Sequence, residues 1–214
     1  ISQLEIPPNF KIIIRTGEFQ TILAEVFDVI EDKSQKLIPT FAFIDPFGFS
    51  GVPFDLVQRL LSMPMAEVFI TVMLRDANRF AEHPDPTTQQ YVVDLFGTPE
   101  VLKLIKTSGN RLLALMQLYQ TQLLQHAQFV RFFEMCDQRD QIIYYLYFAG
   151  NHPLGHKKMK DAFWKVDSSS GLKFSDATNP NQLILFDLDP TDDLAKILHN
   201  QFCGQKILSE NVIK

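Results

Sequence analysis

Short apolar runs alternate with segments of helical periodicity through the first 75 residues, and this alternation limits the possible folds more than any other feature. Apolar residues cluster at 11–15, 41–44 and 68–74, which predicts three buried strands. Between these runs the spacing of apolar residues predicts helices over 19–33 and roughly 53–61. Helical crossovers between buried strands require a parallel sheet, so the predicted class is α/β.

The second half of the chain predicts an antiparallel element. Two strand-like runs, Phe129–Met135 and Gln141–Ala149, flank a short polar break, as expected for a hairpin. Helices are predicted over 109–127, 154–166 and 192–202, and a strand over 183–188. A mostly parallel sheet with helices on both faces that ends in an antiparallel hairpin is typical of the methyltransferase-type Rossmann-like fold. Other doubly wound folds also carry an antiparallel edge.

The pattern divides the chain into three parts of one domain. Residues 1–75 are predicted to form the second part of a Rossmann-like sheet. Residues 76–108 are polar and rich in proline, which suits a lid or insertion over the strand ends. Residues 109–214 supply a helix, the terminal hairpin, a basic helix and a last strand and helix.

Composition and charge exclude several classes of function. The chain is 46% hydrophobic and 21% charged, which is ordinary for a globular protein. A net charge of −5 excludes a broad basic surface and tight, purely electrostatic binding of nucleic acid. The two cysteines exclude a disulfide framework and a cysteine-rich metal site, and favour a reducing, cytoplasmic location. We predict no metal site, and no run of residues predicts a membrane span or a signal peptide.

The strongest candidate site follows the apolar strand 41–44. The strand ends in Asp45, Pro46, Phe47 and Gly48, and ligands of open α/β sheets bind at the carboxyl ends of strands. Asp45 is therefore placed for catalysis or binding. The alternative is a turn in which Asp45 and Pro46 only satisfy backbone amides.

The same turn resembles a motif of methyltransferases that act on amino groups, which is Asp-Pro-Pro followed by an aromatic residue. The resemblance implies that Asp45 and the Pro46 carbonyl accept hydrogen bonds from the target amine, and that an aromatic ring stacks on an extruded base. Here the aromatic residue, Phe47, is third and Gly48 is fourth. We therefore assign Asp45, Pro46 and Phe47 as catalytic and Gly48 as substrate-binding.

A wider resemblance covers most of the chain. The segments 41–51, 67–70, 78–80, 145–149 and 151–167 resemble the three-Cys-motif partner protein family, TcmP. Its members have a methyltransferase-like fold and are paired in bacterial genomes with a three-Cys-motif protein of radical-SAM type. The resemblance implies S-adenosylmethionine as the cofactor and the three-Cys-motif protein as a partner.

Members of that family open with a strand and a glycine-rich cofactor loop, which this chain lacks. Either the cofactor half lies upstream of Ile1, or the chain is a remnant that cannot bind the cofactor. Gly17, Glu18 and Phe19 are candidate cofactor-binding residues, because an acid and an aromatic residue at this place contact adenine in methyltransferases. The alternative for Glu18 is a helix N-terminal acid that complements the helix dipole.

Two further groups are candidates for substrate binding. Arg75, Asn78 and Arg79 follow the strand 68–74 on the rim that bears Asp45, and arginine suits phosphate or carboxylate. A basic helix carries the second group, which comprises Lys157, Lys160 and Trp164. Solvated charges are the alternative for both groups. His152 follows the last strand of the hairpin, so its predicted position is at the edge opposite Asp45.

The leading function is S-adenosylmethionine-dependent methyl transfer to a nucleic-acid or nucleotide substrate, with Asp45 orienting the acceptor. The rival is a non-catalytic subunit that binds the three-Cys-motif partner through its aromatic-rich segments. A nuclease-like activity ranks third, because no second carboxylate lies at a convincing spacing for a two-metal site.

Overall fold

The computed structural model describes residues 9–32, 39–167, 170–176 and 191–206. The elements in chain order are α1 (Phe19–Asp32), β1 (Thr40–Ile44), α2 (Phe54–Ser62), β2 (Ala66–Val72), α3 (Leu74–Phe80), α4 (Pro86–Phe96), α5 (Glu100–Thr107), α6 (Arg111–Leu124), β3 (Phe129–Cys136), β4 (Ile142–Gly150), α7 (Pro153–Val166), β5 (Lys173–Ser175) and α8 (Thr191–Phe202).

The five described strands form one open mixed sheet in the order β1-β2-β4-β3-β5. The β1 and β2 strands pair in parallel, and so do β3 and β5. The β4 strand is antiparallel to both of its neighbours, β2 and β3. Four strands therefore run in one direction and β4 alone runs against them. The prediction of an α/β, mostly parallel sheet with an antiparallel hairpin is confirmed.

The two faces of the sheet bury different layers. One face contributes Ile44, Val68 and Ile70 to the main core, which also holds the buried sides of α2 to α6. On the other face, Phe163 of α7 stacks on Phe133 with ring centroids 4.8 Å apart. The α7 helix thus covers β3 and β4, while Phe41 and Phe43 on the same face of β1 are more than half exposed.

The predicted strand 11–15 is wrong. Residues 11–15 have no strand hydrogen bonding, and Ile12, Ile13 and Ile14 are 51%, 66% and 70% exposed. A β-branched run becomes a strand only when a neighbouring strand satisfies its backbone groups. Among the described strands, none pairs with this run. The strand predicted over 183–188 lies outside the described residues.

The polar segment 76–108 contributes to the core through α4 and α5. The Asp85 side chain accepts a hydrogen bond from the Thr87 amide at 3.1 Å and caps α4, which ends at Gly97 in the left-handed conformation. Each helix buries one apolar face, and the buried residues are Val92, Leu95, Phe96, Val101 and Ile105.

Two tyrosines at the centre of the core have different hydrogen bonding. Tyr119 of α6 and Tyr147 of β4 are fully buried, with ring centroids 5.0 Å apart. The Tyr147 hydroxyl donates to the Met116 carbonyl at 3.1 Å, but the buried Tyr119 hydroxyl has no partner among the described residues. Burial raises the pKa of both phenols, so both stay neutral.

These two hydroxyls make a matched pair of variants. We expect Tyr147→Phe to lower the free energy of unfolding by about 1 kcal/mol, because it removes a made hydrogen bond. Tyr119→Phe should be neutral or stabilising by up to about 1 kcal/mol, because it removes a polar group that is buried without compensation. Urea unfolding of both variants measures the difference. A Tyr119→Phe cost equal to that of Tyr147→Phe contradicts this account.

Candidate functional site

The candidate site begins with the turn that follows β1. Ile44, the last residue of the strand, is buried and pairs with Ile70, so the chain leaves the sheet at a defined point. Asp45 is exposed, and the Phe47 ring is fully exposed. Gly48 and Gly51 have φ values of +97° and +91°, which side-chain-bearing residues rarely adopt. These glycines allow the backbone to turn back toward α2.

A cavity of about 640 Å³ lies at this turn. Asp45, Pro46 and Phe47 line it, and so do Glu18 and Phe19 from the start of α1. The structure therefore brings together the predicted catalytic residues and two of the three predicted cofactor-binding residues. Gly17 lies outside this cavity, in a neighbouring depression that Glu18 also borders.

Helix α4 completes the cavity with residues that the sequence did not single out. Tyr91 and Asp94 line it together with Leu95, because positions three and four apart share one helix face. Tyr91 is 46% exposed, and the Asp94 carboxylate accepts a hydrogen bond from Gln90 at 2.7 Å. The spacing of Tyr91 and Asp94 indicates that they share one helix face. No local sequence pattern indicated that α4 lies beside the turn after β1.

The chemistry of the cavity is acidic and aromatic. Among the described residues, no hydrogen bond or ion pair occupies the Asp45 carboxylate. Its oxygens can accept hydrogen bonds from an amine, and the rings of Phe19, Phe47 and Tyr91 can contact a planar group. The site therefore suits a planar ligand that carries an amino group.

The three polar residues after β2 do not line the cavity. Arg75 instead donates a hydrogen bond to the Ile142 carbonyl of β4 at 3.3 Å, and the buried Oδ1 atom of Asn78 has no partner in the described part of the chain. Arg79 pairs with Asp76 at 3.1 Å and lies over the Phe80 ring, 4.5 Å from its centroid. Substrate binding by these residues at the Asp45 cavity has no support from their positions.

The basic helix lies apart from the cavity. Residues Lys157, Lys160 and Trp164 belong to α7, which packs on the sheet face away from the main core. Trp164 is 42% exposed and lies against Gly171, where a Cβ would be 3.2 Å from the indole. These three residues and Asp45 do not share one pocket among those described.

His152 lies at the opposite edge of the sheet, as its antiparallel strand predicts. Gly150, the end of β4, pairs with Glu67 at the start of β2. The His152 Nδ1 atom accepts a hydrogen bond from the Leu154 amide at 3.2 Å and caps α7. A second cavity of about 650 Å³ is located there, and Glu67, His152 and Lys158 line it.

Comparisons with known proteins add no assignment. No protein-family model matches the chain, and neither the curated proteins nor the solved structures yield a match. In the part of the chain that the structure describes, no helix is both long and apolar enough to cross a membrane. Within those same ranges, no three His, Cys, Asp or Glu side chains are grouped so that they could hold a metal ion.

The turn glycines give a stability prediction. Gly48→Ala should lower the free energy of unfolding by about 1–2 kcal/mol, because alanine is strained at a φ of +97° although no atom lies within 4 Å of its Cβ. Gly109→Ala is the matched control: its surroundings are equally open and its φ is not positive, so we expect a change within about 0.5 kcal/mol. Thermal unfolding compares the two, and equal effects contradict the argument.

A pH dependence follows from the contact between α7 and β3. The Nε2 atom of His156 accepts a hydrogen bond from Nε of Arg131 at 2.8 Å, and its ring stacks on Phe129. Burial, and then the charges of Arg131 and Lys160, lower the pKa of His156 below its ordinary value of 6.5. The unfolded chain therefore binds a proton at His156 more readily than the folded protein does. The contribution of the neutral His156 ring to the free energy of unfolding is complete above pH 6.5 and is lost as the pH falls below that value.

The variant His156→Phe keeps a ring against Phe129 but cannot take up a proton. Between pH 7.5 and pH 5.5, we expect the original protein to lose more free energy of unfolding than this variant loses, since all other titrating groups are shared. Urea unfolding at several pH values measures the difference. Parallel curves for the two proteins contradict the assignment.

Proposed function

We propose that this chain acts as an S-adenosylmethionine-dependent methyltransferase on an amino group of a nucleic-acid or nucleotide substrate, together with a three-Cys-motif partner. The cavity at the carboxyl end of β1 is the observation that carries the proposal. It joins the Asp45 turn, which the methyltransferase resemblance assigns to the acceptor, to Glu18 and Phe19, which are distant in sequence and which the same resemblance assigns to the cofactor. The residues that we propose for the acceptor and those that we propose for the cofactor thus line the same cavity.

The strand order supports the proposal. The β4 strand lies antiparallel between β2 and β3, while the other described strands run together. A hairpin that returns one antiparallel strand into a parallel sheet is typical of the methyltransferase variant of the Rossmann fold. The Asp45 turn follows a parallel strand at the sheet edge where open α/β sheets bind their ligands.

The residues of the cavity fit both ligands. Glu18 has the chemistry to accept a hydrogen bond from an adenine amino group, and the Phe19 ring can cover the base. When bound, S-adenosylmethionine supplies an electrophilic methyl group. The carboxylates of the cavity lower the energy of a positively charged ligand.

Asp45 and Pro46 would orient the acceptor. A hydrogen bond from the amine to the Asp45 carboxylate and another to the Pro46 carbonyl hold the nitrogen in place and raise its electron density. Phe47, whose ring is fully exposed, can stack on the base without first breaking contacts within the protein.

A second candidate is a partner-binding subunit without catalysis. Phe41 and Phe43 are 54% and 58% exposed on the sheet face that carries α7, at the edge strand β1, where the helix leaves them largely uncovered. Exposed aromatic residues side by side on a sheet are typical of interaction surfaces. Capture of the three-Cys-motif protein that persists in Asp45→Ala, with no methyl transfer by either protein, favours this function.

The methyltransferase proposal predicts distinct effects of two carboxylates. We expect Glu18→Gln to weaken S-adenosylmethionine binding about tenfold, because it removes the negative charge and replaces one acceptor oxygen with an NH2 donor beside the cofactor. Asp45→Asn should retain cofactor binding but reduce methyl transfer by about 100-fold or more, since the neutral amide still accepts a hydrogen bond but neither stabilises the positive charge that develops on the amine nitrogen nor takes up its proton. Calorimetric titration and transfer of a labelled methyl group to adenine- and cytosine-containing oligonucleotides, with the partner present, measure these quantities.

Asp161→Asn is the matched control, because Asp161 is exposed on α7 and lies outside the cavity. It should change neither quantity. Absence of binding heat together with an unchanged melting temperature in S-adenosylmethionine would overturn the proposal.

A further inference from the structure

The charged residues that line the Asp45 cavity are all acidic among the described residues. Three carboxylates line it, those of Glu18, Asp45 and Asp94, and they come from three separate parts of the chain. Among the described residues, no lysine, arginine or histidine lines the cavity. The cavity therefore carries a negative potential that no cation of its own wall offsets.

The rest of the wall favours a planar ligand of limited size. Five aromatic residues line the cavity, which are Phe19, Phe43, Phe47, Phe49 and Tyr91. A volume of about 640 Å³ is within the range of sites that hold one small organic molecule. An aromatic group that carries an amine satisfies both the rings and the carboxylates, whereas a phosphate group would be repelled.

Two arginines near the cavity wall do not themselves line the cavity. Arg79 is separated from it by two rings, because its guanidinium lies over Phe80 and Phe80 stacks on Phe49 with centroids 5.0 Å apart. Arg15 borders the neighbouring depression and lies 3.6 Å from Glu25. Neither arginine lines the cavity, so neither offsets the charge of its carboxylates.

We propose that this cavity takes a phosphate-free, amine-bearing aromatic group, either a nucleoside or a base extruded from a nucleic acid, and excludes phosphate groups. The role of the amine as methyl acceptor rests on the proposed function, but the selection against phosphate follows from the charges alone. The acceptor is thus a nucleoside unit whose phosphates, if it has them, stay outside the cavity.

Matched ligand pairs test the inference on the full chain without S-adenosylmethionine. Adenosine and cytidine are titrated against their 5′-monophosphates at low ionic strength. We expect at least one nucleoside to bind about tenfold or more tightly than its monophosphate, because the monophosphate brings negative charge toward three carboxylates. Raising the salt concentration to about 0.5 M should shrink this difference, since screening weakens repulsion but leaves nucleoside binding almost unchanged.

Charge-removing variants locate the effect. The double variant Glu18→Gln and Asp94→Asn should bring the two affinities to within about threefold, while Asp161→Asn on the other face should leave the ratio unchanged. A monophosphate that binds as tightly as its nucleoside overturns the inference, and so does a failure of both nucleosides to bind. If the nucleosides bind more tightly than their monophosphates but the protein does not bind S-adenosylmethionine, the inference about phosphate is supported and the proposed methyltransferase function is wrong.

Discussion

The insertion of β4 between β2 and β3 is the constraint on which the rest of the fold depends. The β4 strand is hydrogen-bonded on both sides, and its successive side chains Tyr147 and Phe148 are buried on opposite faces of the sheet. Tyr147 bonds to α6 in the main core, and Phe148 faces the layer that α7 covers. A slip of one residue would exchange these two faces, so the register of β4 holds both helical layers in place.

The direction of β4 also decides where functional groups gather. Because β1 runs opposite to β4, the Asp45 turn and the His152 cap lie at opposite edges of the sheet, each beside its own cavity. At the Asp45 edge, α1 and α4 bring Glu18 and Asp94 to the turn. The resulting wall combines carboxylates with aromatic rings. Methyl transfer and exclusion of phosphate are two consequences that we propose for this single arrangement.

Local sequence predicted the elements whose partners are near in the chain. The β3–β4 hairpin, β1 and α7 follow from apolar periodicity and short polar breaks. The run at 11–15 has an equally strong pattern but forms no strand, because strand formation needs a pairing partner that the pattern does not specify. The predicted strand 68–74 ends at Val72. Leu74 is buried in the core as the first residue of α3, so its apolar character did not distinguish a strand from a helix. The polar composition of the segment concealed the core role of α4, which buries Val92, Leu95 and Phe96.

By itself the sequence determined that a strand ends at Asp45 and that a turn with two glycines follows, because residue type limits backbone conformation locally. It also placed Glu18 and Phe19 at a helix start. Only the tertiary structure decided that Tyr91 and Asp94 join them, and that Arg75 and Lys157 do not. The reason is physical: periodicity sets which face of an element is apolar, but the order of strands and the docking of helices depend on long-range packing, which no local pattern contains.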